Sequence, residues 1–216
     1  MDLSVLITKL SEGMLVSVEI FSLTLLFSLP LGLLVAFGRM ARNVVLRNAI
    51  KVYISIMRGT PLVLQLMVVY YGPYFIFNIN MPRSYRFVAV IIGFALNYAA
   101  YFAEIYRGGI ESIPAGQHEA AKLLGYSRSQ TFIRIILPQV IKRILPSVTN
   151  EIITLIKDTS LAYVISVPEM FKEAKAIASA QSNMVPYVGA GIFYYVFNYL
   201  VAFIMEWIEK RFSYFR

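Results

Sequence analysis

The run Ile20-Phe-Ser-Leu-Thr-Leu-Leu-Phe-Ser-Leu-Pro-Leu-Gly-Leu-Leu-Val-Ala-Phe-Gly38 contains no charged residue and is followed at once by Arg39. A helix rises ~1.5 Å per residue, so a run of this length crosses the ~30 Å hydrocarbon core of a bilayer. Three more uncharged blocks lie from Gly59 to Pro82, Phe87 to Ala103 and Ala176 to Met205. A fifth span is expected between Val140 and Ile156, where the apolar run continues past Glu151 and holds a carboxylate near its middle. Of the 216 residues, 58% are hydrophobic and 15% charged, and the mean hydropathy is +0.66. A soluble domain carries roughly a quarter charged residues. The sequence therefore reads as an all-α integral membrane protein with about five transmembrane helices. They fall near 13–38, 51–78, 86–104, 138–157 and 186–208, in one transmembrane domain, 1–216. No basic segment precedes the first apolar run, so that span is expected to be retained and not cleaved as a signal.

The absence of cysteine removes disulfides, thiolate metal sites and thiol catalysis. A single histidine, His118, with no His-Glu-x-x-His pattern leaves little enzyme chemistry beyond a Ser-Lys pair; no catalytic or metal residue is assigned. The net charge of +8 is ordered by topology. Arg39, Arg42, Arg47, Lys51 and Arg58 lie between the first and second blocks with no acid among them. Arg107, Lys122, Arg128, Arg134, Lys142 and Arg143 follow the third, and Lys210, Arg211 and Arg216 follow the last. With five spans these segments share one side, which the positive-inside rule makes cytoplasmic. The N-terminus is then outside and the C-terminus in the cytoplasm. Basic residues that flank spans, without a separate basic domain, do not point to nucleic acid. Tyr70, Tyr71, Tyr74 and Phe75 at one end of the second span, and Trp207, Phe212 and Tyr214 at the end of the last, fit headgroup anchors facing membrane lipid.

Pro30, Pro61, Pro73, Pro138 and Pro146 interrupt the spans, each removing an amide donor. Between the last two spans, Ser166-Val-Pro-Glu169 has the spacing of a capping box. It predicts an external amphipathic helix from Val167 to about Gln181, either a gate over the outer mouth or a helix resting on the membrane surface. On the cytoplasmic side, Ser112-Ile-Pro-Ala-Gly-Gln-His-Glu-Ala-Ala-Lys-Leu-Leu-Gly125 predicts a short helix begun near Pro114 and closed by Gly125.

That segment carries a resemblance. Glu119-Ala120-Ala121, Gly125, Ile135 and Leu137-Pro138 reproduce every spacing of the signature of ATP-binding-cassette importer permeases. Arg58-Gly-Thr-Pro-Leu62, Ala99-Ala-Tyr101 through Glu104 and Arg107-Gly-Gly109, Gly116-Gln117, and Lys157-Asp-Thr-Ser-Leu161 resemble the subfamily that imports polar amino acids such as histidine, arginine, lysine and glutamine. The resemblance implies a coupling helix, Ala115 to Leu124, docked in a cleft of a cytoplasmic ATPase. Ala115, Gly116 and Gln117 open it, Glu119 offers a charge, Ala120 and Ala121 allow close approach, and Gly125 permits a sharp exit. The chain has no Gly-x-x-x-x-Gly-Lys-Ser/Thr loop, so ATP and Mg are expected on a partner and no cofactor in this chain. The implied complex has two cytoplasmic ATP-binding subunits, a second permease copy or homologue, and an external solute-binding protein that delivers an amino acid. It sits as a multi-pass assembly in the cell's inner (cytoplasmic) membrane. An ion channel or ion-driven carrier is the competing reading; it would need a site complete within the chain, and it leaves Glu119-Ala120-Ala121 unexplained.

The candidate substrate residues follow from depth. Glu151 lies about two turns, or ~12 Å, beyond Lys142 and Arg143, and Asn97 lies ~16 Å in from Arg86, so both approach the midplane. An ionised group there costs roughly 2.5–3.5 kcal/mol on insertion and usually faces a cavity or a partner. With Thr154 one turn above Glu151 and Arg58 lower on the second span, these residues can meet an ammonium and a carboxylate. The carboxylate of Glu151 favours cationic substrates such as arginine, lysine or histidine. An equally open reading pairs Glu151 with Arg58 or with a neighbouring subunit's cation, only to hold helices together.

Overall fold

The computed structural model describes residues 3–212, and its regular structure is helical throughout. In chain order come α1 (Leu3–Arg39), α2 (Val44–Gly59), α3 (Leu62–Phe77), α4 (Tyr85–Glu111), α5 (Ala115–Leu123) and α6 (Arg128–Thr131). A π turn, Phe132–Ile136, leads into α7 (Leu137–Asp158); a 3-10 segment, Thr159–Ile165, then leads to α8 (Met170–Gln181) and α9 (Val185–Phe212). By length and composition α1, α4 and α9 can cross a membrane, and α2 with α3 adds a fourth crossing if the bent pair is one span. The segment expected as a span at 138–157 is the helix α7, whose Lys142, Arg143, Glu151, Lys157 and Asp158 set it apart from these apolar helices.

α4 is the centre of the bundle. Ala89, Val90, Phe94, Ala99, Ala100, Phe102 and Ala103 are wholly buried. Ile20 of α1, Leu66 of α3, and Leu155 and Ile156 of α7 pack around its aromatic residues. Lipid tails are as apolar as these side chains, so close packing must supply the association, and small residues let backbones approach. At Gly32 a Cβ would stand 2.8 Å from Cβ of Phe102, which makes glycine a condition of the α1–α4 contact. Truncating a large side chain in such a core costs roughly 2–5 kcal/mol.

The expected continuous span at 51–78 is instead two helices bent by 111° at Thr60–Pro61. Pro61 lacks an amide donor and drives Thr60 into extended backbone, φ −124° and ψ 149°. The carbonyls freed at the end of α2 are met by side chains. Thr60 Oγ1 donates to the Ile56 carbonyl at 2.8 Å, and Gln65 Nε2 donates to the Met57 carbonyl at 2.9 Å. Asn97 Nδ2 of α4 donates to the same Met57 carbonyl at 3.0 Å and to Gln65 Oε1 at 2.9 Å. Non-helical backbone at membrane depth persists only where protein or a water-filled cavity satisfies it. Here Asn97 and Gln65 supply that satisfaction.

The segment before α8 departs from the capping-box expectation. Ser166 is left-handed, φ 66°, and ends the 3-10 segment; Glu169 is itself the N-cap of α8. Its carboxylate accepts from the amides of Phe171 at 2.7 Å and Lys172 at 2.8 Å, so the helix starts at Met170 and not at Val167. α8 lies against α1 and α9, where Leu6, Leu10, Met170, Ala174 and Ala190 form a second core. Gly13 admits the backbone of Met170, since a Cβ there would be 2.7 Å from the Met170 Cα. Farther along, the π turn makes room for Pro138, whose ring cannot be packed into an unbroken helix at Arg134.

Candidate functional site

The bend at Thr60–Pro61 opens beside α4 and α7 into a pocket of about 390 Å³ lined by Thr60, Asn97, Tyr98, Tyr101, Glu151, Thr154 and Asp158, with Pro61, Leu62 and Leu161 as its apolar part. Three of the four expected substrate residues therefore share one cavity. Their freedom to bind differs. Asn97 is 5% exposed and both its amide hydrogens are engaged, so only its Oδ1 is left for a ligand. Thr154 Oγ1 donates to the Asn150 carbonyl one turn back at 2.9 Å but is exposed and can still accept. Glu151 is half-buried, with neither an ion-pair partner nor a hydrogen bond among the described residues. Asp158, at the end of α7, accepts from the Tyr98 hydroxyl at 2.7 Å.

Arg58 does not line the pocket. Its guanidinium stands over the ring of Tyr101, 5.2 Å from the centroid, and 3.9 Å from Glu104. The pairing of Glu151 with Arg58 is thus not an ion pair of the described residues, although their charges are near enough to interact. The sequence reading missed Tyr98, Tyr101 and Asp158. A usable signal for the wall was present in Gln65, an amide set among apolar residues early in the block from Gly59 to Pro82.

The second candidate surface is α5. Pro114 precedes it with extended backbone, and a Schellman arrangement closes it: the Gly125 amide bonds the Lys122 carbonyl at 3.0 Å and the Tyr126 amide bonds that of Ala121 at 3.0 Å. Gly125 has φ +79°, the left-handed value that the closing glycine was expected to take. The residues Ala115, Gly116, Gln117, Glu119 and Ala120 are exposed. Ala121 is 1% exposed and packs on its own chain, so of the two alanines only Ala120 is open to a partner. Leu123 and Leu124, unremarked in the sequence, are 89% and 75% exposed. An exposed polar and small-residue face ending in two leucines has the make-up of a docking surface. His118 is exposed and lies on the same short helix.

Comparison with known proteins bears on this geometry. The family model described as the binding-protein-dependent transport system inner membrane component matches residues 28–214. The L-cystine transport system permease protein TcyB of Bacillus subtilis is 36% identical over 204 residues, 94% of this chain and 86% of that protein. A putative glutamine transport system permease protein, GlnP of Rickettsia bellii, is 35% identical over 201 residues, 93% of this chain and 91% of its own length. Among solved structures, an amino acid ABC transporter crystallised with histidines superposes with a TM-score of 0.87 at 29% identity, covering 98% of this chain and 99% of that one. With its bent span, its central α4 and its exposed α5, the chain belongs to the family of binding-protein-dependent transport system inner membrane components, and it is a transport permease subunit, not an enzyme.

Proposed function

We propose that this chain forms the translocation path of an ATP-driven importer of polar, basic amino acids. The observation that carries the substrate class is the pocket: among the described residues its lining has two carboxylates, Glu151 and Asp158, and no cation. Glu151 would receive the substrate's cationic group, Thr154 and the Asn97 carbonyl oxygen would fix its polar atoms, and Tyr101 would give a face for a guanidinium or ammonium. Relatives named for glutamine and cystine transport, and a solved neighbour crystallised with histidines, support amino acids as the class.

The partners follow from the family and from α5. Two cytoplasmic ATPase subunits would each hold an α5 in a cleft, a second permease would complete the cavity, and an external binding protein would deliver the substrate. ATP and Mg would be bound by the ATPases. The basic segments would face the cytoplasm, with α5 then inside and α8 outside the inner membrane.

The test is amino acid-stimulated ATP hydrolysis by the reconstituted complex. Glu151→Gln keeps shape and removes charge, so an assembled variant complex should lose stimulation by arginine. Unchanged half-saturation and maximal rate for arginine, lysine and histidine would sink the assignment.

A further inference from the structure

Three guanidinium groups meet one carboxylate on the α5 side of the bundle. Glu104 accepts from Arg107 Nη2 at 2.6 Å, and Arg39 of α1 and Arg58 of α2 each approach it to 3.9 Å. Arg107 also reaches Glu111. Three cations thus face two carboxylates, and the cluster carries excess positive charge. The Glu104 side chain is only 19% exposed, so the charges are less screened than on an open surface.

The three pairings are unequal. Arg107 is hydrogen-bonded to Glu104, whereas among the described residues the Arg58 guanidinium donates no hydrogen bond. It touches the Tyr101 ring and stands near Glu104, with its side chain 44% exposed. A guanidinium presents a planar fork of donors that matches a carboxylate. In Arg58 that fork is ion-paired with a carboxylate at 3.9 Å without a hydrogen bond to it among the described residues.

Its position gives the idle fork a use. Tyr101 lines the pocket described above. Glu104, three residues on and therefore on the same face of α4, lines a separate cleft of about 380 Å³ with Gly108, Gly109, Ser112 and Arg143. Arg58 touches both Tyr101 and Glu104 and so stands between pocket and cleft.

We propose that Glu104 is a positioning residue that holds Arg58 in reserve, and that the carboxylate of a bound amino acid competes for this guanidinium and draws it off Glu104. The inference rests on the amino acid reading of the pocket. Glu104 keeps Arg107 and Arg39 when Arg58 leaves, so the cluster has two discrete arrangements, one for the empty and one for the occupied site. The exchange removes a link between α2 and α4 near the end of α4, and only Ser112, Ile113 and Pro114 separate α4 from α5. Occupancy is thereby reported at the root of the helix that would engage the ATPase. Such a two-state element, biased by ligand at one site and read at another, is what coupling physically requires.

The test compares arginine with agmatine, which keeps the guanidinium and lacks the carboxylate, by equilibrium binding to the purified permease–ATPase complex. Glu104→Gln removes the competitor for Arg58. Its half-saturating arginine concentration should fall roughly fivefold or more, the lower end of typical coupling between sites, while that for agmatine does not fall. Basal ATP hydrolysis should rise towards the stimulated rate. An assembled Glu104→Gln complex with unchanged arginine binding, or with equal tightening for both ligands, overturns the proposal. If that variant does not assemble, Arg58→Gln decides: it leaves Glu104 bonded to Arg107 and should erase the preference for arginine over agmatine, and a retained preference overturns the proposal. A wild-type complex that binds neither ligand defeats the amino acid reading itself, and this inference falls with it; wild-type arginine binding that Glu104 and Arg58 do not influence defeats the inference alone.

Discussion

The hydroxyl of Tyr98 donates to Oδ2 of Asp158 at 2.7 Å, and this bond joins the middle of α4 to the last turn of α7 across one wall of the pocket. Tyr98 is 2% exposed, so its ring is packed into the core while its hydroxyl is held at the pocket wall by this bond. Tyr98→Phe keeps the ring and removes the donor to Asp158. A hydrogen bond to a charged group contributes about 1.5–3 kcal/mol, and thermal unfolding of the purified complex should fall by a corresponding amount, with weaker substrate binding.

Adjacent glycines on α4 should behave oppositely. A Cβ at Gly109 would collide with the Ile144 side chain, whereas at Gly108 nothing lies within 4 Å. Gly109→Val is expected to part α4 from α7 and to cost about 1–3 kcal/mol as an overpacked contact. Gly108→Ala should be neutral or slightly stabilising. Thermal melts of the two variants, prepared side by side, check the contrast.

A pH dependence should trace to Glu169. This carboxyl is wholly buried, and burial pushes it up to about 7 against the opposing effect of the Phe171 and Lys172 amides and the Tyr194 hydroxyl, with Glu173 adding a like charge. The Lys172 ammonium does not neutralise it, since it donates to the Ser166 carbonyl. A folded-state value above the ordinary one of 4.5 means that the native protein keeps a proton that the unfolded chain has lost. The stability contributed by the protonated group is full below that ordinary value and is lost as pH rises through about 7. The loss is roughly 3 kcal/mol at 1.36 kcal/mol per pH unit. Glu169→Gln should flatten this slope, and hydrogen exchange in α8 measured across the same pH range should flatten with it.

The exit from α5 gives a coupling prediction. At φ +79°, Gly125→Val forces a β-branched residue into the left-handed region, at a cost of about 1–3 kcal/mol. Substrate-stimulated hydrolysis and uptake should both drop at equal membrane abundance. If both stay normal, α5 is not the element that engages the ATPase.

Orientation is open to labelling. Ser4, Ser84, Ser179, Asn43 and Ser129 are all exposed. Single cysteines at the first three should react with an impermeant external thiol reagent, and those at Asn43, Ser129 and Ser213, the last of which lies outside the described residues, should not. The reverse pattern would invert the topology.

Punctuating residues made the helices legible. Pro114 and Gly125 bracket α5 because one cannot donate inside a helix and the other tolerates the left-handed exit; the structure starts and stops the helix within a residue of the expected bounds. The α2–α3 bend was less visible. Pro61 signalled a kink, but its size depends on Gln65 and Asn97 meeting the freed carbonyls, and Asn97 is 32 residues away from Gln65 in the chain. At Glu169 the Ser-x-x-Glu spacing fitted a capping box, yet Pro168 and the left-handed Ser166 shift the helix start so that Glu169 caps it alone. The depth argument put Asn97 and Glu151 at a similar level with Thr154 one turn above, and the three share a cavity. It could not place Arg58, whose direction is set by the bend and by its contacts with Tyr101 and Glu104 of another helix.

α1 runs as one helix of 37 residues, about 55 Å at 1.5 Å per residue, well beyond the thickness of the hydrocarbon. Its early turns carry α8 at Leu6, Leu10 and Gly13, and its last residue, Arg39, reaches Glu104. The two ends are thus joined through one helix, with Pro30 the place where it can flex. A load placed on α8 therefore has a single helix, a mechanical axle, through which to reach the Glu104 cluster at the far end of α1.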